Sequence, residues 1–173
     1  SAELRILPAP LTISTGSAQK AYDGTALTAP ETEITGLQGS DKVEVLVTGS
    51  LTEPGTAENT FEISWGETKP SNYQVSLEPG TLQVSANAAQ VVLKAADASK
   101  TYDGTELTGS DEVTAEGLPA GFRAEIEVEG SLTDAGTASN HITSYVIYNA
   151  AGKDSGAFFT NVQTVDGVLQ IDP

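Results

Sequence analysis

The sequence predicts an all-β fold: two tandem, small, antiparallel β-sandwich modules of the immunoglobulin-like kind. Three observations predict it. Lys20-Ala21-Tyr22-Asp23-Gly24-Thr25-Ala26-Leu27-Thr28 returns as Lys100-Thr101-Tyr102-Asp103-Gly104-Thr105-Glu106-Leu107-Thr108, an offset of 80 residues with seven of nine positions identical. Apolar and polar residues alternate through most of the chain, which is the pattern of half-buried strands, and no window carries a 3.6-residue apolar period of helix length. Gly, Pro and Asp-Gly turns interrupt the alternation every few residues, leaving six or seven short strands per module.

The duplication divides 173 residues into two units of roughly 80. A unit of that size buries only about 60–65% of its unfolded surface, so each core is modest. With 8 basic and 24 acidic residues the formal charge is −16, which opposes nucleic acid and anionic membrane surfaces and favours a well-hydrated surface. The chain has no Cys, which excludes disulfides and thiolate metal sites. No apolar run approaches the length needed to cross a bilayer, so no direct membrane insertion is expected.

Leu4-Arg5-Ile6 resembles Leu82-Gln83-Val84 and Leu169-Gln170-Ile171, which close the two copies. Residues 1–10 therefore read as the last strand of a preceding repeat and a Pro-Ala-Pro joint, and the chain as a piece of a longer series. The first module spans 11–86, a link 87–90, and the second module 91–173. Leu11-Thr12-Ile13-Ser14-Thr15 opens the first module, and Val91-Val92-Leu93-Lys94-Ala95 opens the second. Tyr22-Asp23-Gly24 and Tyr102-Asp103-Gly104 read as hairpin tips, with Asp bonding to nearby N–H groups, Gly taking positive φ and Tyr packing on the core.

Val43, Val45 and Val47 alternate with Glu44, Leu46 and Thr48; the copy places Ala124, Ile126 and Val128 inward and Glu125, Glu127 and Glu129 outward. A row of outward glutamates is a solvated face that discourages edge pairing. Phe61, Ile63 and Trp65 alternate next. Their copy slips in phase near Ser144, which predicts a β-bulge there. Asn72 aligns with Asn161 at an offset of 89 instead of 81, so the second module carries an insertion around 149–160 containing Phe158 and Phe159. Tyr73–Leu77 and Thr81–Val84 read as a closing hairpin around Glu78-Pro79-Gly80. Val165 and Val168 flank the shorter Asp166-Gly167 turn of the copy.

Several residues invite a chemical reading. Asp23 and Asp103 with Glu53 or Asp134 could offer Ca²⁺ hard oxygens, but no loop supplies several closely spaced carboxylates, so the turn reading prevails and no metal or cofactor is expected. Lys20 and Lys100 could join Asn72 and Asn161 in isopeptide bonds; the plainer reading is an exposed Lys and a turn-forming Asn. His141 aligns with Thr60 and has no repeated partner, and no Gly-x-Ser-x-Gly elbow occurs, so no catalytic residues are assigned and no enzyme is expected. Trp65, Tyr73, Tyr148, Phe158 and Phe159 are the candidate binding residues, because aromatic faces suit glycan or protein recognition.

The residues Lys-x-Tyr-Asp-Gly-Thr near each start, with Asn-(Tyr/Val)-Gln…Gly-(Thr/Val)-Leu-Gln-(Val/Ile) at each end and Pro8-Ala9-Pro10 as a joint, resemble the YDG/MBG-type repeats of bacterial cell-surface, adhesin-like proteins. The resemblance covers nearly the whole chain, twice, through short and tolerant motifs. It implies an extracellular, bacterial surface location and tandem non-catalytic modules whose neighbours are further repeats of the same chain. Some members of that group are β-grasp-like, a second choice here because the stretch expected to hold the helix, 41–48, alternates as a strand. The expected function is a stalk or spacer in adhesion. The alternative is an adhesin module that binds a host or community glycan or an extracellular protein through the insertion of the second module.

Overall fold

The computed structural model describes residues 1–173. Strands take up 52% of the chain and helix 3%, so the protein is all-β. The chain divides into two compact units, Ser1–Ser85 and Ala86–Pro173.

The first unit contains, in chain order, β1 (Ala9–Thr15), β2 (Ala18–Ala21), β3 (Thr32–Thr35), β4 (Glu44–Val47), β5 (Gly55–Glu58), β6 (Phe61–Ser64), β7 (Tyr73–Glu78) and β8 (Thr81–Ser85). One sheet has β1 at its centre, with β3 antiparallel on one side and β7 parallel on the other. A second has β8 at its centre, with β2 parallel and β5 antiparallel. β6 follows β5 after two residues and pairs antiparallel with β4. The alternation of β1 sends Leu11 and Ile13 into the interior, where they meet Tyr73, Ile34, Val45, Phe61 and Ile63. The interior thus lies between the β1 sheet and the β4–β6 ribbon. Leu82 and Val84 of β8 are buried as well.

The second unit contains β9 (Val91–Ala95), β10 (Ala98–Thr101), β11 (Leu107–Thr108), β12 (Val113–Glu116), β13 (Arg123–Glu129), β14 (Ser131–Leu132), β15 (Gly136–Tyr148), β16 (Val162–Val165) and β17 (Gly167–Asp172). β12-β9-β16 and β10-β17-β15-β13 form its two main sheets, and β11 pairs with β14. β15 runs unbroken where the first unit has β5 and β6. Glu127 faces Ser144 while Val128 faces Ile142, so Thr143 is the extra residue of a bulge next to the Ser144 slip. Ala95, Ile126 and Ile142 form the interior with Val113 and Val128.

Several expectations need correction. Eight and nine strands replace the six or seven expected per unit. The sheets are mixed rather than antiparallel, because β1–β7, β2–β8, β9–β16 and β10–β17 are parallel pairs. Tyr73–Glu78 and Thr81–Ser85 are not a hairpin. The chain leaves one sheet at Pro79-Gly80 and joins the other, beside the point where β1 passes into β2 at Gly16-Ser17. The two crossings touch, so closely that a Cβ on Gly80 would lie 2.0 Å from the Gly16 carbonyl oxygen. In the second unit a Cβ on Gly167 would lie 2.1 Å from the Ala96 carbonyl oxygen.

Residues 1–8 form no strand, and Leu4, Ile6 and Leu7 are exposed. Ala9 and Pro10, expected in a joint, already belong to β1. The expected link at 87–90 is tied into the second unit: Asn87 donates its N–H to Phe158 and accepts from Thr160 N–H, and Val91 N–H bonds the Asn161 carbonyl. Helix amounts to two three-residue 3-10 turns, Pro70–Asn72 and Gly156–Phe158, so the helix of a β-grasp fold is not among the elements.

Candidate functional site

The duplicated motif is an Asx turn clamped by a lysine. Asp23 Oδ1 accepts the Thr25 N–H at 2.9 Å and the Thr25 hydroxyl at 2.7 Å. Lys20 Nζ donates to that same oxygen at 2.8 Å and to Thr25 Oγ1 at 2.6 Å. The second copy repeats all four bonds at the same distances among Lys100, Asp103 and Thr105, and Lys100 also reaches the Thr105 carbonyl at 2.8 Å. Gly24 and Gly104 hold φ of 81° and 80°. Nothing lies within 4 Å of a Cβ placed on Gly104, so backbone conformation and not crowding selects glycine there.

The clamp sets the electrostatics. The Lys20 ammonium first, then the Thr25 hydroxyl and N–H, lower the Asp23 carboxyl from its ordinary 3.8 to about 2. Lys100 and then Thr105 hold Asp103 well below the usual carboxylate range. Each carboxylate and each lysine is committed to its own turn, leaving the lysines engaged away from Asn72 and Asn161, both of which are exposed.

The motif is not the tip of a hairpin. β2 pairs with β8, and Tyr22 N–H continues that ladder to the Ser85 carbonyl. The chain then turns away at Asp23-Gly24 toward the Leu27–Leu51 bridge. Tyr22 is 2% exposed, as its packing role requires, whereas Tyr102 is 52% exposed although its N–H makes the matching bond to the Asp172 carbonyl. The two copies therefore share the turn and differ in the environment of the ring.

The candidate binding aromatics do not gather on one surface. Tyr73 is buried, its hydroxyl donating to Asp41 Oδ2 at 2.5 Å and accepting Gln38 N–H at 3.0 Å. The Asp41 bond is the main cause of its raised pKa. Trp65 packs against the interior of the first unit. Tyr148 lies under the Arg123 guanidinium, 4.3 Å from its ring centre. Phe159, expected in an open loop, is buried and meets Phe122 edge-on with ring centres 5.8 Å apart, while Phe158 is half-buried in the adjoining 3-10 turn. The insertion is ordered by its own bonds, with Asn149 Oδ1 accepting Ala151 and Lys153 N–H groups and Ser155 N–H bonding the Ile147 carbonyl.

His141 Nδ1 and Ser139 Oγ both bond Asp166 Oδ2, at 2.9 and 3.3 Å, so the serine is paired with the acid and not with the imidazole. No group of three or more His, Cys, Asp or Glu side chains has the arrangement of a metal site.

One duplicated residue escaped the sequence reading. Asn59 and Asn140, offset by 81, are fully buried. Asn59 Nδ2 donates to the Gly16 and Ala29 carbonyls at 2.9 and 2.8 Å. Asn140 Nδ2 donates to Ala96 and Ser110 at 3.0 and 2.9 Å. Each amide pins the sheet-to-sheet crossing of its unit to the segment that follows the clamped turn. The aligned Ala57-Glu58-Asn59-Thr60 and Ala138-Ser139-Asn140-His141 carried the signal. Comparison of the chain with protein-family models, curated proteins and solved structures gave no match.

Proposed function

We propose that this chain is a non-catalytic spacer region of a bacterial surface protein, each unit being one link of a stalk that carries tension in adhesion. The observation that supports it best is the parallel pairing of each unit's opening strands with its closing strands. β1 runs beside β7 over six residue pairs and β2 beside β8 over four; β9–β16 and β10–β17 repeat the arrangement with four each. Parallel strands point the same way, so the start of the opening strand and the end of the closing strand lie at opposite poles of a unit. Tension through the chain then shears these ladders along their length and loads their bonds together, instead of opening them one at a time.

The residues that recur with the same geometry serve this scaffold: the Lys-Asp-Thr clamp, the buried Asn and the glycine at the crossing. The charge of −16 keeps such a surface hydrated and resists association. Recognition through the insertion is the weaker reading, because Phe159 is packed inside the unit. The test is to stretch single molecules by their two ends. The proposal expects two discrete unfolding events, each releasing roughly 250–300 Å of chain. A smooth extension without discrete events would contradict it.

A further inference from the structure

The two units differ at one sheet edge. β13 closes the four-stranded sheet of the second unit and turns Glu125, Glu127 and Glu129 outward, a guard against a further strand. β4 occupies the corresponding edge beside β6, yet Leu46 stands where Glu127 stands and is 64% exposed. Thr48 replaces Glu129 one step further on. Next to this edge lies an open groove of about 700 Å³, lined by Thr32 and Ile34 of β3, by Val43, Val45 and Leu46, and by the carboxylate-bearing Glu44 and Glu62.

The backbone of that edge is available. Thr48 N–H bonds the Thr60 carbonyl at 2.8 Å, which fixes the phase of the β4–β6 pair. Hydrogen-bonded residues alternate in an antiparallel pair, so Glu44 and Leu46 turn their N–H and C=O groups toward β6, while Val45 and Val47 turn theirs away from it.

We propose that the β4 edge takes up one extended strand of a partner polypeptide that alternates apolar side chains with Lys or Arg. The strand would pair with Val45 and Val47 by strand addition, turn its apolar side chains inward to the groove beside Ile34, Val43 and Val45, and lay its cations over the outward face that carries Glu44, Leu46 and Glu62. Charge selects this occupant. A second copy laid along β4 would oppose glutamate to glutamate on a chain of net charge −16, whereas a basic strand is attracted. The inference stands independently of the spacer reading, since it concerns one edge of one unit.

The experiment is a titration of the ¹⁵N-labelled chain with acetyl-Lys-Val-Lys-Val-Lys-Val-Lys-amide, followed by NMR, beside the matching Glu-Val peptide. The Val45 and Val47 amides are expected to shift saturably and to slow their hydrogen exchange by about tenfold or more. Leu46→Lys sets a like charge among the strand's cations at an exposed site, leaves the spectrum folded, and weakens binding by about tenfold. The acidic peptide leaves the spectrum unchanged. Silence at Val45 and Val47, equal affinity in Leu46→Lys, or an equal response to the acidic peptide would overturn the proposal. So would the same shifts appearing with chain concentration alone, which would make a second copy the occupant.

Discussion

At Asp23 one oxygen takes three donors, and that crowding carries a pH dependence with a definite sign. The folded carboxyl titrates at about 2 against an ordinary 3.8. Between those values the folded chain binds fewer protons than the unfolded one. The contribution of the clamp is therefore complete above about pH 4 and is lost as pH falls through about 2. Thermal melts at pH 5 and pH 2.5 should show a steeper loss for the natural chain than for Lys20→Met, in which the principal cause of the depression is gone. Asp23→Asn keeps an acceptor for Thr25 and should lose less than about 1 kcal/mol, the scale of an exposed ion pair. Asp23→Ala removes the turn bond too and should cost about 1–2 kcal/mol, read by denaturant unfolding. Asn59 and Asn140 are themselves fully buried, and each alanine variant strands two carbonyls that lie at least partly out of water. Each should cost about 2–3 kcal/mol. Phe159→Ala belongs with them. Since the ring is buried against Phe122, its loss should destabilise the second unit by about 3 kcal/mol, measured by calorimetry.

Among the elements, the sequence made the strands legible and left their partners hidden. Period-2 alternation located β1, β4, β6, β8 and β9 because one face of each meets the interior, and the phase slip near Ser144 lay next to the bulge because an extra residue reverses which side chains face inward. Parallel and antiparallel neighbours impose the same alternation, so the pattern could not show that β7 and β8 part company. Glu78-Pro79-Gly80 looked like a hairpin turn because Pro and Gly favour one. The glycine answers to a different demand, the backbone of the neighbouring crossing 2.0 Å from where a Cβ would sit. Gly80→Ala and Gly167→Ala must push two backbones apart, and each should cost about 3 kcal/mol or more, measured by urea unfolding. Gly104→Ala should instead be limited by its φ of 80° at a site with open space, and should cost only about 1–2 kcal/mol.

On the scale of the whole molecule, the duplicated motif announced two units, and the chain divides between Ser85 and Ala86. Phe159 lies deeper than its sequence neighbours suggest, for a physical reason. An inserted Phe-Phe pair reads as exposed when its neighbours are Gly, Ser and Asp, yet the insertion folds back through Asn149 and Ser155 and brings Phe159 inside. The proposed mechanical role rests on the direction of each unit's closing strands, and it can be tested by changing the direction of the pull. The chain has no Cys, so introduced cysteines give unique handles. Handles at the two termini load β2–β8 in shear. Handles at Ser17→Cys and Thr81→Cys, where both strands begin, open the same ladder bond by bond. The account predicts a several-fold higher unfolding force for the first unit through the termini than through the paired handles. Equal forces in the two directions would contradict it.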